Sequence, residues 1–221
     1  MSPELIKLIG DATLDTIYMV AVSAVVGTLL GLPLGIFLAT SGRGELFQSI
    51  FLNRVIGLIV NATRSTPFII LVVSIIPLTR LIAGTSIGTT AAIVPMTLSA
   101  VPFIARISET AIREVDGGLI EASLAMGATP LQIVCKVLIP EALPGIVLGI
   151  TLSIVSLISF SAMVGAVGGG GLGDVGIRYG YQRFMPEVMA VVVVVLILLV
   201  QAVQSAGDAL ARRVNKRKIH R

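Results

Sequence analysis

Four stretches of this chain contain no charged residue: 16–42, 81–105, 142–173 and 188–207. Each is at least 20 residues long, the length an α-helix rising about 1.5 Å per residue needs to cross a hydrocarbon core roughly 30 Å thick. Inside lipid every backbone N–H and C=O has to be satisfied within the segment, so single runs of this kind form helices. Composition agrees. Hydrophobic residues make up 55% and charged residues 13%, against about 25% charged in soluble domains, and the mean hydropathy is +1.01. The fold class expected is an all-α polytopic membrane protein, with residues 1–221 forming a single transmembrane domain.

The formal net charge of +4 does not point to nucleic acid. The six Lys/Arg of "RRVNKRKIHR" (212–221) exceed the whole surplus, and a basic tail after a last span is a topology signal. The single cysteine, Cys135, excludes an internal disulfide and any cysteine-based metal cluster. Lys7 is followed by Asp11 and Asp15 rather than by a short apolar core. No cleavable leader is expected, and the first span serves as its own insertion signal.

Five spans are predicted, at about 16–40, 55–79, 86–105, 143–164 and 188–206. The first carries Gly27, Gly31 and Gly35, the small-xxx-small spacing that lets helices approach closely in lipid. The second is irregular. Its uncharged core, 65–79, is too short to cross, and extending it back to Val55 places Arg64 inside the helix. Arginine at membrane depth is costly, so Arg64 either marks the cytoplasmic mouth, the preferred reading, or pairs inside the bundle; a pair with Glu109 near the inner mouth is a further reading. Pro95 and Pro102 imply kinks in the third span.

Orientation follows from the cationic residues. With the N-terminus outside, 12 of 16 Lys/Arg fall on the cytoplasmic side: Arg43, Arg54, Arg64, Arg106, Arg113, Lys136 and the six of the tail. Only Lys7, Arg80, Arg178 and Arg183 remain outside. The positive-inside rule therefore favours N-out, C-in.

That orientation makes about 107–141 a cytoplasmic loop, and its sequence is that of a built element. In "EASLAMGATPLQIVCKVLIPEALPG" (121–145), Thr129 is a hydroxyl N-cap and Pro130 a first helical residue. Gln132 completes a capping box. Leu131, Val134, Cys135 and Leu138 recur at helical spacing on one face, and Pro140 is expected to stop the helix. "EASLAM" reads as the end of an earlier short helix, with Gly127 supplying the left-handed residue at the reversal. The plain reading is a helix pair lying on the membrane surface. The sharper one is a rigid docking element for a cytoplasmic partner.

Glu121-Ala122-Ser123, three residues, Gly127, nine residues, then Val137-Leu138-Ile139-Pro140 resembles the EAA loop of ABC-importer permeases. Ser stands for the second Ala, Val for Ile and Ile for Leu. The resemblance implies a type I ABC-importer permease fold, with a loop that couples to a separate ATPase through Glu121, Ala122, Gly127, Thr129, Pro130 and Pro140. Segments 64–88, 91–106 and 161–181 are similar to methionine-importer permeases, and five spans suit that branch. The cargo is implied by this similarity alone. Permeases for another amino acid or a sulfur compound remain alternatives.

The resemblance further implies a second copy of the chain, two ATP-binding-cassette ATPases, an external substrate-binding protein, and a bacterial inner-membrane location. No cofactor is expected in this chain, and no nucleic-acid or metal partner. Ser156, Ser159 and Met163 fall on one helical face. Hydroxyls in spans often bond their own backbone and methionine often fills gaps, but the resemblance implies a pore or gate.

Other chemistries are disfavoured. "GLGD" (171–174) lacks the second intramembrane carboxylate that an aspartyl protease needs. "GGGG" (168–171) has no following Lys-Ser/Thr, so it is no phosphate loop, and it reads as flexible backbone joining the last two spans. The lone His220 lies in the tail. An ATP-independent secondary transporter would need an ion-coupling carboxylate at the centre of a span, and none of the five predicted spans holds one there.

Overall fold

In the computed structural model, which describes residues 3–215, the first helix outruns its apolar window: α1 spans Pro3–Thr40. A short turn leads to α2 (Ile50–Ser65), α3 (Phe68–Ser74), α4 (Ile76–Ala83) and α5 (Thr89–Arg113). Then come α6 (Gly117–Ala125), α7 (Pro130–Ile133), α8 (Ile139–Ala166), α9 (Gly171–Val175) and α10 (Pro186–Val214). Lys216, Arg217, Lys218, His220 and Arg221 of the basic tail lie outside the described residues.

Among the described residues, four helical stretches are long and apolar enough to cross a membrane: 3–40, 89–113, 130–166 and 186–214. A fifth crossing arises only if α2 and α3 are taken together, and these meet at a 104° bend. The expected unbroken span over 55–79 is therefore not formed. Pro67 explains the break. It has no N–H to donate and excludes helical geometry from the residue before it, and Thr66 accordingly sits in extended backbone (φ −82°, ψ 125°). Phe68, the first residue of α3, stacks on Phe160 of α8 with ring centroids 4.3 Å apart.

The expected small-residue seam is present. α1 and α5 run in parallel, and Gly27, Gly31 and Gly35 lie against Ala100, Val101 with Ile104, and Ala105 with Ser108. A Cβ on Gly27 would stand 2.7 Å from Ala100 Cβ, and one on Gly31 2.7 Å from the Val101 carbonyl oxygen. Only a bare backbone permits that approach, which maximises dispersion contacts where lipid removes the hydrophobic drive between helices.

The glycine-rich connection is not loose, contrary to expectation. Gly171–Val175 is helical and largely buried, and a Cβ on Gly165 or Gly173 would collide with the backbone of the facing segment. Thr16 Oγ1 accepts from Leu172 N at 2.9 Å and donates to Ala12 O at 2.9 Å, tying this connection to α1. Glycine here serves close packing between chain segments, which composition alone does not distinguish from mobility.

Three apolar layers stack along the bundle. Met19, Phe68, Met96 and Leu157 belong to the middle layer. Ile9, Leu172 and Val188 mark one end. Ala39, Ile112, Ile133, Val134 and Leu138 mark the other, and on that end the 107–141 element is mounted.

Candidate coupling element

Asp116 opens the element by accepting from Gly118 N at 2.7 Å, the N-cap bond of α6. The helix closes on two linked bonds, Ala128 N to Ser123 O at 3.0 Å and Gly127 N to Leu124 O at 2.9 Å. This is the Schellman arrangement, with Gly127 at φ +79° as its left-handed residue. Gln132 N then donates to Thr129 Oγ1 at 3.4 Å and Thr129 N donates to Gln132 Oε1 at 3.0 Å. The capping box read from sequence is closed from both sides. Local bonds thus occupy part of the orphan backbone groups at each of these helix ends, which restricts the reversal.

Ser123 stands where the loop pattern has a second Ala. It is buried and donates to Leu119 O at 2.6 Å, so a small side chain that can return its hydrogen bond to the helix fits. Glu121 and Ala122 are exposed beside it.

Two expectations fail here. Pro140 does not stop the helix: α7 runs through a widened turn, Val134–Leu138, into α8. In that π-type turn N–H groups reach back five residues, and the extra width lets the Pro140 ring pass the preceding turn without a clash. The expected apolar stripe is split as well. Ile133, Val134 and Leu138 are buried, whereas Leu131 (66% exposed) and Cys135 face outward. The buried face is centred on Ile133, Val134 and Leu138, so the stripe lies to one side of the one expected.

The element therefore has two faces. The inner one seats Ile133, Val134 and Leu138 on Ala39, Ala111, Ile112 and Val115. The outer one exposes Leu124 (49%), Met126 (81%) and Leu131 beside Glu121 and Gly127. Exposed apolar side chains on a capped helix–turn–helix are the form of a docking surface.

The other site residues scatter. Arg64, in the last turn of α2, lies over the Phe103 ring at 5.8 Å. The Arg64–Glu109 pair is not formed, because Glu109 is held by nearer cations on its own helix: Arg106 Nη1 at 2.8 Å and Arg113 Nη2 at 3.0 Å. Sequence reading missed that cluster, although the i,i+3 and i,i+4 spacing of Arg106, Glu109 and Arg113 signals it. Ser156 donates to Leu152 O at 3.0 Å. Ser159 and Met163 line an open groove of about 650 Å³ between α8 and α10, which Gln201 shares and Ser156 does not.

Residues 31–218 match the family model described as "binding-protein-dependent transport system inner membrane component". A probable D-methionine transport system permease protein of Vibrio cholerae is 57% identical over 210 residues, covering 95% of this chain and 93% of that one. The D-methionine transport system permease protein of Escherichia coli (strain K12) is 50% identical over 165 residues, covering 75% and 76%. Among solved structures, a chain of the MetNI methionine ABC transporter in inward-facing form superposes with a TM-score of 0.95 at 50% identity, covering 98% of this chain and all of that one. An amino acid ABC transporter solved with histidines shares the fold, with a TM-score of 0.79 at 19% identity over 95% of each chain.

Proposed function

The chain belongs to the binding-protein-dependent transport system inner membrane components, and on that premise we propose that it is the permease of an ATP-driven methionine importer. It works as one transmembrane unit, N-terminus outside, paired with a second copy of itself. Two ATPase subunits dock on the cytoplasmic face, and an external binding protein delivers the cargo. ATP hydrolysis occurs on the separate ATPase chains, so this chain is not itself an enzyme. The cargo rests on relatives whose names carry methionine.

The coupling rests on one observation, the continuity of residues 130–166 as a helical rod. At about 1.5 Å per residue a rod of that length spans the hydrocarbon core with turns to spare. Its cytoplasmic end carries Leu131 in the docking face, and its far half carries Ser159 and Met163 in the groove. Closure of the ATPase pair displaces Glu121, Ala122, Gly127, Thr129 and Pro130. The rod, with Pro140 inside it, converts this into rotation of the groove wall, a rigid-body change of the kind that switches access between two sides. Ser159 and Met163 form the gate, with Ser156 on the same helix behind them, and Arg64 sets a cation toward the inner end of the path.

The test is reconstitution of the chain with its ATPase and binding protein in vesicles. Uptake of labelled methionine that requires all three and ATP supports the reading. Uptake without an ATPase, or of other amino acids in preference to methionine, contradicts it.

A further inference from the structure

α1 ends without a basic residue in its last turn, and the Leu38 carbonyl there collects donors from two other helices. Asn53 Nδ2 of α2 reaches it at 2.8 Å while also donating to Ser41 Oγ at 2.9 Å. Arg113 Nη2 of α5 reaches it at 3.4 Å, and that same nitrogen pairs with Glu109 Oε1 at 3.0 Å. A guanidinium at a helix C-terminus complements its dipole, here across helices rather than within one.

Glu109 is 5% exposed, and placing an acidic side chain there carries a desolvation cost that an apolar side chain would avoid. Its two cations are half exposed, at 41% and 50%, where ion pairs add little stability. Stability is a poor reason for this cluster, and position is a better one. Arg113 stands three residues before Asp116, the cap of α6. It also lines a cavity of about 390 Å³ with Thr40, Glu45, Gly117, Ile120 and Leu138, which leaves its turn room to move.

We propose that Glu109, Arg113, the Leu38 carbonyl and Asn53 form the link that carries movement of the docking element into α1 and α2, with Glu109 and Arg113 as positioning residues. This rests on the importer reading and adds a second route beside the 130–166 rod. Because one nitrogen serves both the carboxylate and the carbonyl, a shift of the α5–α6 junction strains one bond or the other, and the pull passes to the end of α1. Asn53 then conveys it to α2.

The experiment compares Glu109→Gln, Arg113→Lys and Asn53→Ala with the unmodified chain in the reconstituted complex. Three quantities are measured: ATPase retained on purification, ATP hydrolysed, and methionine taken up. The expected result is full retention and unchanged hydrolysis, with uptake per ATP falling about ten-fold, inside the range of measured coupling between sites. Asn53→Ala lies outside the ion cluster and tests the link independently if a charge variant inserts poorly. An unchanged ratio of uptake to hydrolysis overturns the link, and so does a loss of uptake that only tracks loss of assembled complex. If the unmodified chain retains no ATPase, the importer reading fails first and the link falls with it, an outcome separate from either of these.

Discussion

Thr129 and Gln132 are bonded to each other twice: the Gln132 amide donates to the Thr129 hydroxyl at 3.4 Å, and the Gln132 side-chain oxygen accepts from the Thr129 amide at 3.0 Å. This reciprocal pair sits two residues after Gly127, whose left-handed φ of +79° turns the chain out of α6. Between them the two devices fix where α6 stops and where the 130–166 rod begins, which sets the shape of the outer face.

Thr129→Ala is expected to cost about 1 kcal/mol of local stability, the usual worth of a hydroxyl N-cap. Gln132→Ala removes only the return bond and should cost less. Because the two residues share one motif, the double variant should fall short of the sum of the singles. Hydrogen exchange at the amides of residues 131–133 in detergent checks this. Strict additivity would show that the two bonds act independently.

Gly31→Ala places a methyl 2.7 Å from the Val101 carbonyl and should destabilise the extracted protein by about 1–3 kcal/mol, the usual cost of overpacking. Gly10→Ala, whose Cβ meets nothing within 4 Å, should be neutral or stabilise by up to about 1 kcal/mol through helix propensity. Thermal unfolding of both variants in one detergent is the comparison. Equal midpoints would remove the claim that α1 and α5 touch through backbone.

What sequence made legible was whatever depends on local rules. The uncharged windows located four spans, the four-residue glycine repeat marked a close-packing face of α1, and Thr129-Pro130-x-Gln132 located a helix start whose capping bonds are both made. The failures share a different cause. Pro140 was read as a stop because a proline clashes with a regular α-turn, and the chain widened that turn instead. Pro67, hidden inside an apolar run, broke a span that hydropathy averages over. The glycines of 168–171 read as flexible because sequence does not reveal what lies opposite them. Arg106, Glu109 and Arg113 are visible at helical spacing, but the Leu38 carbonyl that Arg113 reaches is brought near only by the fold.

Cys135, the single cysteine of the chain, is exposed on the docking element and reports orientation. A membrane-impermeant maleimide should label it in inverted vesicles and not in intact cells. Labelling from the outside would contradict the proposed N-out, C-in orientation and place the element where no ATPase could reach it.

The most direct measurement is the amount of ATPase that copurifies with the tagged chain from native membranes in mild detergent, for the unmodified protein, Gly127→Asn and Gly127→Pro. A Cβ at Gly127 meets nothing within 4 Å, so only backbone conformation is at stake. Asparagine tolerates the left-handed region and proline, fixed near φ −65°, does not. The account expects ATPase in near-equal amount with the unmodified and Asn chains, and its loss together with methionine uptake for Pro. A chain that carries no ATPase, or a Gly127→Pro variant that keeps it and transports normally, would contradict the claim that this turn couples the permease to its motor.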